Sequence, residues 1–223
     1  MAPDRLADAR SAISDLVGGH APRWDLSGEL PSGLLRDLGA RGLLCAQVPS
    51  RFGGLGINSR HNGELTAHVG YHCSSLRSVM TSHGMAAWTV QRLGSSAQRA
   101  DYLTRLAKGE LAAVAMSEPA AGSDLSAMET EIRRDGDSVI LRGEKMWVTG
   151  ASYADLLLVV GRHDDGAAAA MVPATAPGVR IERVAAPLGC RAAGHAHLRL
   201  DEVRLPASSV LGGGGNSLAM LIT

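Results

Sequence analysis

A chain of 223 residues with 45% hydrophobic side chains can bury a core of its own, in one large domain or two smaller ones. Its 22 Lys and Arg balance 22 Asp and Glu, and no basic block appears locally, which argues against nucleic acid or an anionic membrane and for small, neutral or carrier-borne ligands. The opening MAPDRLADARSAISDL is acidic where a secretion signal is basic, and no apolar run approaches the roughly 18 residues of a spanning helix, so the expected location is cytoplasmic.

The first 110 residues read as helices. Pro31 followed by LLRDLGARGLL opens a short helix that places leucines at 34, 35, 38 and 43 or 44 on one face. Ser59 is the expected cap of a helix running through Leu65, His68 and Val69 towards Tyr71. The next helix, Ser74 to Leu93, carries Leu76, Val79, Met80 and Ala87 at helical spacing and stops at Gly94. Ser95 and Gln98 form a capping box for a last helix ending at Gly109.

After Glu110 the hydrophobic period changes to two. LAAVAMS reads as a short buried strand, and METEIRR and SVILR flank Asp135-Gly136-Asp137, where Asp-Gly suits a type I′ hairpin turn. KMWVTG, DLLLVVG, AAAAMVP, VRIERV and HLRLDEVRL follow, separated by turns such as Ala176-Pro177-Gly178 and Pro187-Leu188-Gly189. Short strands at this spacing predict a small antiparallel barrel or sandwich. The stretch from Gly212 to Gly215 and the following NSLAMLIT read as a linker and the first turns of another helix.

Most signatures of catalysis are missing: there is no Walker A loop, no G-x-G-x-x-G after a strand, no H-E-x-x-H and no G-x-S-x-G elbow. Phe52-Gly53-Gly54-Leu55-Gly56 follows no strand and reads as a tight loop between helices. His68 and His72 have metal-ligand spacing, but no third ligand is evident and no metal is expected. Cys190, His195 and His197 likewise lack partners, and His83, which could be a base, reads rather as a surface or packing residue, as a lone helical histidine more often is. Cys45, Cys73 and Cys190 are odd in number without CxxC spacing, which suits buried free thiols in a reducing compartment.

Two segments differ. Ala115-Met116-Ser117-Glu118-Pro119-Ala120-Ala121-Gly122-Ser123-Asp124 is a strand that ends at a proline and then offers a glycine and a hydroxyl, a place where main-chain N–H groups can meet an anion. Gly143-Glu144-Lys145-Met146-Trp147-Val148-Thr149-Gly150 is a second strand, ending in an indole and a hydroxyl. Together they suggest a large planar ligand carrying phosphate; by itself, Trp147 would read as a core aromatic.

These segments resemble the paired signatures of the acyl-CoA dehydrogenase superfamily, close to A-[MLI]-[ST]-E-P-x-A-G-S-D and G-x-K-x-W-[IV]-T-[NG]. Val48-Pro49 to Gly56, Gly94 with Gln98 and Tyr102-Leu103, Leu188-Gly189-Cys190-Arg191, and Asp201-Glu202-Val203-Arg204-Leu205-Pro206 are similar to further family elements, so the resemblance covers essentially the whole chain. It implies an α+β protein with an N-terminal helical domain over 1–110, a middle β-barrel domain over 111–210 and, from 211 to 223, a linker and the start of a C-terminal four-helix bundle that is absent or cut off.

The same resemblance implies FAD as cofactor. Met116, Ser117, Gly122, Ser123, Trp147 and Thr149 would hold it, and Ser123 and Arg191 would meet the substrate. The implied reaction is α-proton abstraction with hydride transfer to flavin on an acyl-CoA or acyl-carrier-protein thioester, in an oligomer or with a partner that supplies the bundle. The family's catalytic glutamate falls beyond Thr223, so no residue here is assigned as the base and Glu118 is read as structural. Arg191-Ala192-Ala193-Gly194-His195 stands where the family often carries Ser and Thr. With the 73–78 and 81–85 segments, it resembles the branch that makes methoxymalonyl- and hydroxymalonyl-type extender units on carrier proteins. The competing readings are a flavin-free interaction fragment and a flavin monooxygenase-type relative on the same scaffold.

Overall fold

The computed structural model describes residues 4–164 and 166–212; the helix start expected after the linker lies outside the described residues. Helices α1 (Asp4–Val17), α2 (Ala21–Ser27), α3 (Ser32–Ala40), α4 (Ser59–His72) and α5 (Ser74–Leu93) come first. Then α6 (Ser96–Gln98) passes through a π turn at Arg99–Leu103 into α7 (Thr104–Leu106). The capping box is formed: the Ser95 hydroxyl accepts from Gln98 N, and Ser95 N donates to Gln98 Oε1 at 2.8 Å. The final helix ends at Leu106 rather than Gly109. Asn58, not Ser59, caps α4, its Oδ1 accepting from His61 N at 2.9 Å; both residue types cap well, and Ser59 instead accepts from Gln47.

The strands are β1 (Ala112–Ala115), β2 (Glu131–Asp135), β3 (Ser138–Val148), β4 (Leu156–His163), β5 (Gly166–Pro173), β6 (Val179–Arg183), β7 (Ala196–Pro206) and β8 (Val210–Leu211). They form one sheet in the order β6-β7-β3-β2-β4-β5-β8, with β1 beside β4. Helices followed by a mostly antiparallel sheet is the expected order. Two pairings nevertheless run parallel, β1 with β4 and β2 with β4. SVILR and KMWVTG, expected as separate strands, are one eleven-residue strand. The β2–β3 hairpin has Gly136 and Asp137 between paired Asp135 and Ser138, and only Gly136 has positive φ, at 60°. Glycine in the first central position is the type II′ preference, so the turn is shifted by one residue from the Asp-Gly expectation.

Strand β4 shows why the chain holds together. Leu156 through Val160 are all buried, because both faces of the strand are covered. Leu156, Leu158 and Val160 pack with Ala86, Val90, Leu103 and Leu106 of the helices, while Leu157 and Val159 join a core shared with Ile132, Leu141, Leu198 and Val203. That second core gathers side chains from most strands, so the sheet folds over to enclose them. Cys45 and Cys73 are buried as expected, but Cys190 is only half-buried. No helix among the described residues is long and apolar enough to cross a membrane.

Candidate functional site

The two motif segments meet through a buried ion pair. Lys145 Nζ lies 2.6 Å from Glu118 Oε1, with the lysine side chain wholly inaccessible and the glutamate 3% exposed. The ammonium also donates to Met116 O at 3.0 Å, and the carboxylate accepts from Glu129 N and Thr130 N. Burial pushes the Glu118 carboxyl up, but the hydrogen bonds from Lys145, Thr130 and Glu129 outweigh it and hold the group below its usual range. Met146 N donates to Ser117 O at 2.8 Å, and Glu118 and Ala121 exchange backbone hydrogen bonds. Glu118 is therefore a structural carboxylate.

A bulge in β3 turns Trp147 outward. The register with β7 slips between Lys145 and Val148, so both side chains are buried although they stand three residues apart. Between them Trp147 takes φ of 56° and is 55% exposed, which overturns the core-aromatic alternative. Its indole meets the rings of His195 and His197 edge-on, at 6.2 and 5.8 Å between centroids. Thr149 Oγ1 lies 3.2 Å from His195 Nδ1.

These elements face α5 across a cleft of about 270 Å³, lined on one side by Val114, Met116, Ser117, Met146, Trp147 and Thr149 and on the other by residues that include Arg77, Ser78 and Thr81. Four of the predicted site residues, Met116, Ser117, Trp147 and Thr149, are thus brought together. Gly122, Ser123 and Arg191 are exposed and lie outside this lining. A Cβ added at Gly122 would meet only open space, and the Ser123 hydroxyl and Arg191 guanidinium have no partner among the described residues. The α5 side of the cleft falls in segments singled out only for their resemblance to one branch; their period gave no sign that they face the strands.

The cleft is held against α5 by side chains that complete the free edge of β1. Ala112 N donates to His83 Nδ1 and Val114 N to Ser82 Oγ, both at 3.0 Å. His83 is fully buried, and desolvation pushes its pKa down to about 4. Helix α5 also helps line a larger groove of about 690 Å³ with α4 and the 44–48 loop, which shares Arg77, Thr81 and Met85 with the cleft; Arg77 is its only charged lining residue among the described residues. The smaller cleft holds the convergent polar groups and is the better candidate for chemistry. His68 and His72 both address Ser14 Oγ, at 3.0 and 3.2 Å, and no cluster of three metal-ligating side chains occurs among the described residues.

The residues fit a flat heteroaromatic ring. An exposed indole stands on a bulge, main chain from Met116 and Ser117 lies beside it, and a hydroxyl points from Thr149. At about 270 Å³ the cleft is below the roughly 300–1,000 Å³ of a site for a whole ligand. It can take one ring system, leaving the rest of an extended cofactor to run outside it.

Residues 6–110 match the acyl-CoA dehydrogenase N-terminal domain, and residues 113–203 match the acyl-CoA dehydrogenase middle domain. A solved structure of FkbI, for biosynthesis of the methoxymalonyl extender unit of the polyketide immunosuppressant Fk520, is 61% identical with a TM-score of 0.92, over 96% of this chain and 60% of that one. The probable acyl-CoA dehydrogenase YngJ of Bacillus subtilis is 32% identical over 204 residues, 88% of this chain and 54% of its own. A glutaryl-CoA dehydrogenase from Mycobacterium smegmatis in complex with FADH2 is 32% identical with a TM-score of 0.87, over 97% of this chain and 57% of that one. The chain spans about half the length of the curated relatives it matches.

Proposed function

Because the chain belongs to the acyl-CoA dehydrogenase family, we propose that it forms the helical and sheet walls of an FAD-dependent acyl-thioester dehydrogenase. The observation that carries this reading is the convergence of Met116, Ser117, Trp147 and Thr149, from the ends of β1 and β3, on one cleft against α5. Bound FAD would supply the hydride acceptor. Trp147 would lie against the ring system, Met116 and Ser117 would meet its edge, and Thr149 would present a hydroxyl to it. Gly122 and Ser123, exposed and unencumbered, would receive the pyrophosphate or the pantetheine arm.

The chain's own part in the reaction is to align the reacting C–H bonds in this cleft and to exclude water from it. Glu118 takes no proton from substrate, since Lys145 and two backbone N–H groups already occupy its oxygens. The α-proton acceptor is accordingly assigned outside the described residues.

The 61% identity to FkbI supports a substrate of the methoxymalonyl extender-unit type, a short oxygenated acyl group borne as a thioester on an acyl carrier protein. Arg191, exposed and without a side-chain partner among the described residues, would meet that ligand. We further assign a cytoplasmic location and an oligomeric assembly, homomeric or with a partner that completes the site. FAD titration of the purified protein tests the reading: a bound flavin absorption band is expected, and a protein that stays colourless after reconstitution would overturn it. Anaerobic bleaching by an acyl thioester is expected of a dehydrogenase, whereas turnover that requires oxygen would favour the monooxygenase alternative.

A further inference from the structure

The loop before β7 is tied to the residues just after Thr149. Gly150 N donates to Ala193 O at 3.0 Å and Ser152 N to Gly194 O at 3.2 Å, while Tyr153 donates to Ala192 O and accepts from Leu30 N. Gly194 has φ of 64°, and a Cβ there would stand 2.5 Å from the Tyr153 ring, so no other residue lets the loop approach this closely. The consequence is the placement of His195, half-buried, with Nδ1 at 3.2 Å from Thr149 Oγ1 and its ring edge-on to Trp147. Both contacts are to residues that line the cleft, and no step of the function proposed above uses this histidine.

We propose that His195 is a positioning residue: its Nδ1 sets the direction in which Thr149 points its hydroxyl proton at the cleft, and its ring steadies the Trp147 indole beside it. For the ligand's identity, though not for the residue pair, this rests on the flavin reading above. A neutral imidazole has one nitrogen that donates and one that accepts, and a threonine hydroxyl can do either. A bare Nδ1 accepts the Thr149 proton, leaving only oxygen lone pairs towards the ligand. An Nδ1 that carries hydrogen donates to Thr149 instead, and the hydroxyl proton is released into the cleft. The imidazole thus decides whether the cleft offers an acceptor or a donor at this point, and Thr149 alone cannot.

The charged groups on the elements around the ring are Glu182, opposite His197, and Arg183, opposite Ala196, on β6, with Arg77 on α5 lining the cleft and Arg191 in the preceding loop. Burial, rather than any of these charges, lowers the His195 pKa from its ordinary value. Neutral tautomers therefore dominate at physiological pH, and acid converts Nδ1 to an obligatory donor.

The test has two arms. In the protein without cofactor, NMR of the His195 imidazole against pH is compared with Thr149→Val; a shifted Nδ1 resonance and a moved titration midpoint are expected, and identical titrations would overturn the pairing. In the second arm, FAD dissociation constants and visible spectra are compared for His195→Phe, which keeps a ring beside Trp147, His195→Asn, Thr149→Val and the Phe–Val double variant. His195→Phe and Thr149→Val should each weaken FAD by about three- to tenfold with the same change in the absorption band. The double variant should lose no more than either single one, and His195→Asn should restore much of the loss. Additive losses would overturn the proposal, because His195 would then act independently of Thr149. If the unmutated protein takes up no FAD, the flavin reading fails, while the NMR arm still decides the pair.

Discussion

Lys145 and Glu118 join the two segments that face the cleft: the ammonium of one and the carboxylate of the other lie 2.6 Å apart, shielded from water, and each also bonds to main chain nearby. Lys145 reaches Met116 O from β3, and Glu118 gathers the N–H groups of Glu129 and Thr130 at the entry to β2. The main chain at Met116 and Ser117 is therefore fixed relative to Trp147 and Thr149 before any ligand arrives, and that prior arrangement is the useful property of a site built to position reacting groups.

Removing one partner should be costly, because the other charge is left buried and unpaired. Lys145→Met is expected to lower unfolding stability by about 3–5 kcal/mol, measured by denaturant unfolding. The Lys145→Met, Glu118→Gln double variant should lose less than the sum of the single losses. Additivity of the two would mean that the pair contributes nothing as a pair.

Acid should weaken the fold through His83. Its folded pKa is pushed down to about 4 by burial, whereas the unfolded chain takes up the proton below about 6.5. The unfolded state thus binds more protons between these values. The stabilising contribution is complete above about 6.5 and declines as pH falls to about 4, by on the order of 3 kcal/mol in all. Glu118, held below its usual range, adds a separate loss only at pH values under about 4.3. Denaturant unfolding from pH 7 to 4.5 should show the first decline, and His83→Asn, which keeps an acceptor for Ala112 N but does not titrate, should flatten it. Equal slopes in the two proteins would show that His83 does not carry the dependence.

Local chemistry was the legible part of this molecule. The capping box at Ser95 and Gln98, the stop at Gly94, the change of period after Glu110 and the hairpin at Gly136 are all decided within a few residues, and the structure has each close to its expected place. The two site segments were legible because they resemble a known pair. What could not be read depends on distant pairing. The bulge that exposes Trp147 arises from the register of β3 against β7, the parallel seat of β1 on β4 is 44 residues long-range, and Thr149 meets His195 across 46. Nothing local distinguishes Asn58 from Ser59 as a cap, or shows that Ser82 and His83 will serve as hydrogen-bond partners for a strand edge.

Ser123 separates binding from folding. Its side chain is exposed and has no partner among the described residues, so Ser123→Ala should leave unfolding stability within about 0.5 kcal/mol. If its hydroxyl takes an oxyanion of the ligand, the same change should weaken FAD or thioester binding by about 1–3 kcal/mol, read by titration of the flavin band. Unaltered affinity for both ligands would remove Ser123 from the site.

Trp147 allows the strain of the bulge to be told apart from the role of the indole. A residue other than glycine with φ of 56° sits in the left-handed region, which costs an L-residue with a Cβ roughly 1–2 kcal/mol. The exposed indole itself adds little to the core. Trp147→Ala keeps the Cβ and therefore the strain, whereas Trp147→Gly removes both. The glycine variant should be the more stable of the two by about 1 kcal/mol, a reversal of the usual preference for alanine within a strand. Both should bind FAD more weakly than the unmutated protein, since neither offers a flat surface beside Met116 and Ser117. Denaturant unfolding and flavin titration on the same pair measure the two effects separately. An alanine variant as stable as the glycine one would deny the strain, and undiminished FAD binding in both would place the flavin ring somewhere other than against Trp147.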